Sequence, residues 1–437
     1  MNKKLLLIIS SLLLFAGANA QQTYTLQQCI DIALENNRQV KQQSLAKQER
    51  DIAYRQARQD LLPNLNASAG QDFTFGRSPD ATTTYRSGNS TQTSFNIASN
   101  LTLFDGLRMK HNIDARRAET YASAADLEKA KADIVMAVNT AYLQVLMNKE
   151  LLQTAENQLF LTKELIVQRQ KLIEAGKLAE GEMFELQAQE AKEDLSRVQA
   201  ENALKLSLLD LAQIMEIDSP LNPPQGDFDV LPQSPPVGDL GGLYLRSVEE
   251  TYASALQSRP EMKSASYKLQ SSEKNVSIAR AGYFPTLTFG ANFRTGYNSL
   301  ENMSFNKQLS EYMSGSVGFN LNIPIFNRFD TKNRVATAKL GVENSKLELE
   351  NTKKELFKTI QQAHQNALAA KERWKAAEKS VKATQEAYRY AEQKYDSGRA
   401  TQYEIFQVKN NYSQVLSEQT QAKFEYAFRV RILELLK

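Results

Sequence analysis

The sequence predicts an α+β membrane protein in which a β-barrel, built from four strands of each of three chains, continues into long helices. Three observations predict this fold class. Two copies of one unit follow each other at an offset of 222 residues. Four stretches alternate between apolar and polar residues, with Gln71 as a break in the first, and a helical run of about 70 residues contains neither glycine nor proline.

The N-terminus, residues 1–20, is predicted to be a secretory signal peptide. Lys3 and Lys4 precede the apolar stretch Leu5–Phe15, and Ala18-Asn19-Ala20 resembles a cleavage site. The mean hydropathy of the full chain is −0.48, which is typical of a hydrophilic protein. The formal net charge of +3 gives no footprint for nucleic acid. The single cysteine, Cys29, is expected to pack as a small apolar residue on a helix.

The internal duplication is visible in residues that recur at the 222-residue offset. Ala57-Arg58 aligns with Ala279-Arg280, Phe104 with Phe326, and Gly176 with Gly398. The segment Ser219–Gly242 between the copies holds six of the chain's 11 prolines, so we expect a connector there and no helix. The predicted domains are a first repeat at 21–215, a Pro-rich connector at 216–245 and a second repeat at 246–437.

Each repeat is expected to contain a shorter helical segment followed, after the strands, by a very long helical hairpin. The shorter segments are Leu26–Leu62 and Ser247–Phe284, and each ends at a proline that cannot continue a helix. The long run begins after Gly106 and reaches Gly176. Such a run spans about 105 Å at 1.5 Å per residue, which indicates coiled-coil-like packing rather than a globular core. Gly176 and Gly398 are then expected to turn the helices back.

Period-two alternation predicts four strands of about ten residues, arranged as two hairpins with polar loops. A soluble antiparallel sheet gives the same pattern and is the commoner explanation for one strand. Here four such strands stand in two hairpins, and Asn, Ser, Thr and Gly line the polar face, as in a water-filled barrel. The residues expected to face lipid are Leu65, Phe73, Phe75, Phe95, Ile97, Leu101, Leu287, Phe289, Phe293, Val317, Phe319, Leu321 and Ile323.

Four strands cannot close a barrel, because a lipid-exposed sheet edge leaves backbone groups unpaired. The chain is therefore expected to oligomerise. A threefold assembly gives twelve strands, an even number of the size seen in outer-membrane barrels. No pattern for catalysis, cofactor or metal binding is found in the sequence: there is no Cys/His cluster, phosphate-binding loop or nucleophile motif. We therefore predict a protein that is not an enzyme.

The order of several short motifs resembles the outer-membrane efflux protein family, the TolC-like channels. LQQCIDIALENN lies near the expected mature start, and ALQSRPEM lies at the matching place in the second copy. LLPNL and YFPTL precede the strands, and LTLFDG ends one of them. The resemblance covers essentially the whole chain after residue 20. It implies a trimer with a twelve-stranded outer-membrane barrel, a periplasmic α-helical barrel, and an equatorial region near the connector.

The resemblance also implies a function for the hairpin tips. In the family, the tips narrow the channel and contact a periplasmic adaptor, or membrane fusion protein, that links the channel to an inner-membrane transporter. Carried over by position, the tip residues expected to contact the adaptor are Gly176, Lys177, Leu178, Ala179, Gly398, Arg399, Ala400 and Thr401.

The pore constriction is expected at Glu404 and Gln407, with Tyr395 and Glu182 forming a bonded pair between hairpins. The family more often has two acidic residues where this chain has one, and some members carry a gate arginine where this chain has Ala400. Three copies of Glu404 around one axis would attract cations and disfavour anions. Because exposed helix charges contribute little to stability, Glu404 is expected to be dispensable for folding.

The predicted function is that of a passive exit duct for small molecules such as drugs or toxic compounds, driven by an inner-membrane transporter. Protein export by a type I secretion system is the alternative within the channel class. A periplasmic adaptor or an envelope spacer is the alternative from another class. The adaptor is disfavoured because two matching hairpins are present, and the spacer because it needs no two-faced strands.

Overall fold

The computed structural model describes residues 23–79, 85–87, 89–176, 180–217, 229–230 and 247–436. The predicted signal peptide, residues 1–20, lies outside these ranges, as does most of the predicted connector. Among the connector residues, Asp229–Val230 forms a short strand that pairs in parallel with Thr23–Tyr24. A two-residue strand does not contradict a connector, and the bounds of the connector stay a prediction.

The elements follow one another in the order expected for two related halves. In the first half they are β1 (Thr23–Tyr24), α1 (Leu26–Asn36), α2 (Arg38–Gln59), β2 (Asn66–Thr74), β3 (Arg77–Pro79), β4 (Tyr85–Ser87), β5 (Ser90–Phe104), α3 (Arg108–Glu174) and α4 (Gly181–Ile214). After β6 (Asp229–Val230), they are α5 (Val248–Ser258), α6 (Pro260–Arg280), β7 (Thr286–Asn298), α7 (Phe305–Glu311), β8 (Ser314–Asn322), α8 (Asp330–Asp396) and α9 (Gln402–Leu435).

The shorter helical segments were predicted to be continuous, and that prediction is wrong in both halves. Asn37 separates α1 from α2 with φ −58° and ψ 130°, and Arg259 separates α5 from α6 with φ −65° and ψ 130°. The side chain of Asn37 accepts hydrogen bonds from the backbone N–H groups of Gln39 and Val40, so it starts the next helix. In the second half Pro260 occupies the first helical position, where its missing N–H costs nothing.

Equivalent elements of the two halves have equal lengths. Helices α3 and α8 have 67 residues each, and α4 and α9 have 34 residues each. The backbone adopts positive φ at Leu107 (67°) and again at Phe329 (64°), which are 222 residues apart. These paired features support the proposed division into two repeats.

The contacts within the chain define two compact units, and each unit draws on both repeats. The first comprises Met1–Ser44, Leu127–Pro260 and Lys353–Lys437. Its largest apolar core joins α1, α3, α4 and β6, with Cys29, Val138, Tyr142 and Leu211 fully buried. Cys29 thus packs on a helix as predicted, and burial raises the pKa of its thiol to about 12. Across the described ranges, no helix is both long enough and apolar enough to cross a bilayer.

The second unit comprises Leu45–Asp126 and Glu261–Thr352, and it contains an antiparallel sheet with the order β2-β5-β7-β8. The four strands have 9, 15, 13 and 9 residues. The loops are more structured than predicted, because one carries the β3–β4 ribbon and the other carries α7. The prediction is also wrong by one residue at three strand ends, since Leu65, Phe75 and Ile323 lie just outside β2 and β8.

Candidate functional site

The register of the sheet brings the predicted apolar residues to one face. Ile97 lies opposite Phe293, and Phe289 lies opposite both Leu101 and Phe319. The rings of Phe289 and Phe319 are 5.2 Å apart between centroids. Because side chains alternate along each strand, all these odd-numbered residues share one face. The described residues thus place two faces of opposite character on one sheet.

The two edge strands of the sheet remain uncovered within one chain. Every residue of β2 and of β8 is exposed, and Val317 and Phe319 keep 75% and 72% of their surfaces accessible. An uncovered apolar sheet face of this kind needs either lipid or protein against it. The pattern has one irregularity. The register between β5 and β7 shifts between Thr102 and Phe104, so Leu103 is an extra residue in β5, as in a β-bulge.

Two glycines with left-handed backbones turn the long helices, as the sequence predicts. Gly176 has φ +71° and Gly398 has φ +72°. The Gly398 N–H donates to the Tyr395 carbonyl at 2.8 Å, and the Arg399 N–H donates to the Lys394 carbonyl at 2.8 Å. A Cβ added at either glycine would meet no atom within 4 Å, so backbone conformation rather than crowding favours glycine here.

The two tips are described to different extents. Lys177, Leu178 and Ala179 lie outside the described residues, and so does the side chain of Glu182. The predicted pair between Glu182 and Tyr395 therefore stays a prediction. In the second tip, Arg399 and Thr401 are exposed and Ala400 is half-buried. These residues remain candidates for contact with a partner.

Glu404 has a local structural role that the sequence analysis missed. The Thr401 hydroxyl accepts from the Glu404 N–H at 3.3 Å, and Glu404 Oε2 accepts from the Thr401 N–H at 3.0 Å. This reciprocal capping box begins α9. The expectation that Glu404 is dispensable for folding stays a prediction, and it has to include the hydrogen bond that the Glu404 carboxylate accepts from the Thr401 N–H. The signal was visible in the sequence as Thr-x-x-Glu before an apolar run.

The packing around the second tip leaves Glu404 and Gln407 exposed on α9. The neighbouring Ile405 and Phe406 are buried against Leu186 of α4. The same cluster includes Tyr395, whose ring lies 4.7 Å from the Arg169 guanidinium carbon. A cation over an aromatic face is attracted by its quadrupole. Arg169 thus holds the predicted site residue Tyr395, and its sequence position gave no sign of that contact.

A buried polar network joins α3, α4 and α9 near this cluster. The Lys409 ammonium donates to the Thr162 hydroxyl at 2.5 Å and to Glu193 Oε1 at 3.2 Å. The Gln189 amide donates to Glu193 Oε1 at 2.7 Å and to Asn410 Oδ1 at 2.8 Å. Lys409 and Glu193 keep only 5% and 7% of their surfaces accessible. The sequence analysis missed this network, because its members are far apart along the chain.

Burial and charge act in opposite directions on Lys409. Desolvation lowers the pKa of its ammonium, and the Glu193 carboxylate offsets part of that shift. Nearby on α8, burial and a hydrogen bond to Glu392 raise the pKa of Tyr388. Among the described residues, no cluster of three or more His, Cys, Asp or Glu side chains is suited to a metal ion.

Amphipathic strands that lead into 67-residue helices and glycine-turned hairpins define a membrane-channel type of fold. A model of the outer membrane efflux protein family matches residues 29–215 and 251–435. The chain therefore belongs to the outer membrane efflux protein family, and it is an outer-membrane protein. The resemblance drawn from the sequence motifs is confirmed.

Individual relatives agree with this assignment. The probable outer membrane lipoprotein SilC of Salmonella typhimurium is 24% identical over 321 residues, which cover 70% of this chain and 62% of SilC. The cation efflux system protein CusC of Escherichia coli O157:H7 is 27% identical over 312 residues, which cover 68% of this chain and 60% of CusC. The matched region thus spans about three fifths of the length of these curated relatives.

Solved structures show the same fold. The crystal structure of a membrane protein from Pseudomonas aeruginosa has a TM-score of 0.77 at 19% identity, covering 97% of this chain and 93% of that one. The open state of the MtrE outer membrane channel of Neisseria gonorrhoeae has a TM-score of 0.74 at 20% identity, covering 94% and 88%. The predicted α+β fold with four strands per chain is confirmed.

Proposed function

We propose that the chain is one subunit of a homotrimeric exit duct in the outer membrane. Three copies of the four-stranded sheet would close a twelve-stranded barrel, and the long helices would form a helical barrel in the periplasm. The open sheet carries this proposal. Its edge strands β2 and β8 are exposed along their whole length, and lipid cannot satisfy the backbone groups of an open edge.

Two sheet faces of opposite character support a water-filled interior with lipid outside. The odd-numbered apolar residues, among them Phe319 and Leu321, would face lipid. The even-numbered Asn320 and Asn322 would then face water. Hydration of the second face is what a passive duct for polar solutes needs. An envelope spacer has no use for such a face.

Transport would be driven by an inner-membrane transporter and coupled through a periplasmic adaptor. Membership in the efflux family supports this arrangement, and the name of the relative CusC describes a cation efflux system. We propose small molecules or ions as the exported class, with no catalytic step in this chain. The hairpin tips from Gly398 to Thr401, and their counterparts from Gly176 to Ala179, would contact the adaptor.

Glu404 and Gln407 would line the narrowest part of the closed duct. Both side chains are exposed on α9, on the side away from the buried Ile405 and Phe406. Threefold symmetry would convert one carboxylate into a ring of three. Such a ring raises the local concentration of cations and repels anions. Because Glu404 also caps α9, its charge and its cap must be separated experimentally.

Planar-bilayer recordings at low salt test the proposal with a matched pair of variants. Glu404→Gln removes the charge, whereas Thr401→Ala removes the cap hydroxyl and keeps the carboxylate. Thr401→Ala should loosen the start of α9, whereas Glu404→Gln keeps an amide oxygen that can accept from the Thr401 N–H, as Gln28 does for Thr25. Only Glu404→Gln should lower cation selectivity. Selectivity unchanged in Glu404→Gln would contradict the constriction. A detergent-solubilised protein that stays monomeric by mass while keeping its β structure would contradict the duct.

A further inference from the structure

An exposed aromatic and cationic cluster lies between β8 and α8, directly after the last strand. The series of apolar residues at every second position continues past the strand end, through Ile323 to Ile325. Ile325 keeps 94% of its surface accessible, and Phe326 and Phe329 keep 72% and 60%. Side chains this apolar and this exposed indicate a surface that something else covers. We name Ile325, Phe326, Arg328, Phe329 and Lys332 the β8–α8 cluster.

The cluster has a fixed internal geometry. The rings of Phe326 and Phe329 meet edge to face, with centroids 5.6 Å apart. The Lys332 ammonium lies 5.7 Å from the centroid of the Phe329 ring. One cation thus lies beside an exposed aromatic pair, an arrangement suited to the boundary between hydrocarbon and water, where aromatic rings and long cationic side chains concentrate.

The backbone beneath the cluster is strained. Arg328 and Phe329 adopt φ of 54° and 64°, in the left-handed region that side chains disfavour. In the first repeat, Gly106 takes the position of Arg328 with φ 69°. A glycine would therefore fit the backbone at position 328 with less strain, so the backbone conformation does not explain why this position holds an arginine. A residue held in strain by surrounding structure is a reason to look for function.

Hydrogen bonds hold the strained turn in place. The Asn327 side-chain amide donates to the Thr331 hydroxyl, and that hydroxyl donates to the Gly282 carbonyl at 3.3 Å. Thr331 is almost fully buried. A Cβ at Gly282 would come within 2.9 Å of the same hydroxyl, so the close approach requires glycine there. The turn is thus anchored from below while its outer side chains are presented to the surroundings.

The cations of the cluster are available for a ligand. Arg334, one turn further along α8, is engaged by Asp330 through contacts of 2.9 and 3.0 Å. Within the described part of the chain, neither Arg328 nor Lys332 takes part in an ion pair. Two exposed cations therefore stand beside apolar side chains that extend the lipid-facing series. A lipid with an anionic phosphate headgroup could contact the cations with its phosphate and the apolar side chains with its acyl chain.

We infer that the β8–α8 cluster binds anionic phospholipid in the leaflet where the strands end, with Arg328 and Lys332 on the headgroup and the apolar residues against the acyl chains. The inference rests on the proposed function, because it assumes that the odd-numbered face contacts lipid. A guanidinium can donate two parallel hydrogen bonds to a phosphate. Each cation near an anionic membrane surface contributes about fivefold in affinity, so two contribute about 30-fold.

Fluorescence quenching tests the inference in the assembled protein. The chain has one tryptophan, Trp374, so a Trp374→Phe background with Phe329→Trp gives a single probe at the cluster. In mixed micelles, half-maximal quenching of this probe should need about 30-fold less brominated phosphatidylglycerol than brominated phosphatidylcholine. Arg328→Gln with Lys332→Gln should abolish the preference. Arg334→Gln, the matched control in the ion pair, should retain it.

Native mass spectrometry of the protein with its own Phe329 provides a second measurement. Phosphatidylglycerol should remain bound, and the Arg328→Gln/Lys332→Gln variant should lose it. Equal quenching by both lipids would overturn headgroup recognition. Absence of quenching in an intact trimer would show that protein covers the cluster, and it would overturn the inference. Conductance of the same preparations separates the two proposals: normal channels without lipid preference refute only this inference, whereas absent channels refute the exit duct and this inference with it.

Discussion

Replacing Glu193 with glutamine tests the buried ion pair at the centre of the hairpin packing. The change leaves the Lys409 ammonium buried, with the Thr162 hydroxyl 2.5 Å away and no carboxylate bonded to it, although the charge of Glu392 still acts on it. Breaking a buried pair in this way costs about 3–5 kcal/mol. The structure sets a ceiling on that range, because a buried ammonium can release its proton instead.

The ceiling follows from the proton equilibrium of lysine. Neutralising a lysine at pH 7 spans about 3.4 pH units from its ordinary pKa of about 10.4, at about 1.36 kcal/mol per unit. Deprotonation therefore limits the cost of keeping this charge buried to about 4.6 kcal/mol, and we expect a loss of about 3–4.6 kcal/mol. If the helices open locally with this smaller free energy, the protection of their amides against hydrogen exchange falls by about two to three orders of magnitude.

Hydrogen–deuterium exchange of residues 185–200 and 402–416 measures this loss. Glu190→Gln is the matched control, because Glu190 lies on the same helix and pairs with exposed Lys163 at 4.0 Å. A surface pair of this kind contributes at most about 1 kcal/mol. Equal protection in the two variants would refute the buried pair.

The pH dependence of Glu193→Gln carries a definite sign. Burial lowers the pKa of Lys409, so the unfolded chain binds more protons than the folded one between that lowered pKa and about 10.4. Stability rises with pH wherever the unfolded state binds more protons. Protection in Glu193→Gln should therefore recover as pH rises through this window. A further loss of protection there would contradict the assignment of Lys409 as a buried cation.

Three further outcomes follow from the structure. Leu321→Arg should cost about 2–4 kcal/mol in barrel stability, and Asn320→Arg should cost less and alter conductance; equal losses on both faces would indicate a soluble sheet. Gly398→Ala should destabilise its turn by about 1–2 kcal/mol, whereas Gly341→Ala inside α8 should stabilise by about 0.5–1 kcal/mol, and exchange at each site should show opposite signs. Cys29, with its pKa raised to about 12, should resist a maleimide at pH 8 until the protein unfolds; rapid native labelling would refute its burial.

The strand pattern and the hairpin turns could be predicted from sequence because both are local. Alternation fixes which strand residues share a face, and the observed register places Leu287 opposite Leu321 as that pattern requires. The absence of glycine and proline after Gly106 predicted a helix that proved to have 67 residues. Gly398 stood alone in a helical pattern, and a left-handed turn is the common reason for such a glycine.

Features that depend on distant contacts were not predictable in this way. Lys409 contacts Glu193 across 216 positions and Thr162 across 247, so no local pattern signals either bond. The extra residue Leu103 in β5 depends on how β5 pairs with β7, and the alternation within one strand cannot show it. The helix break at Asn37 is different in kind: a capping residue and Pro260 at the matching place in the other repeat were both readable signals.

The buried pair of Lys409 and Glu193 occurs in only one of two related places. At the 222-residue offset, Lys409 corresponds to Gln187 and Glu193 to Val415, so the matching positions cannot form the same bond. Because Lys409 of α9 and Glu193 of α4 pair within one polypeptide, a single chain can form this helix contact before it meets a neighbouring subunit. Every copy of the chain carries the same two residues, so the pair cannot tell one copy from another. It does distinguish this contact between α4 and α9 from its counterpart at the 222-residue offset, which limits how the helices of the two repeats can pair during assembly.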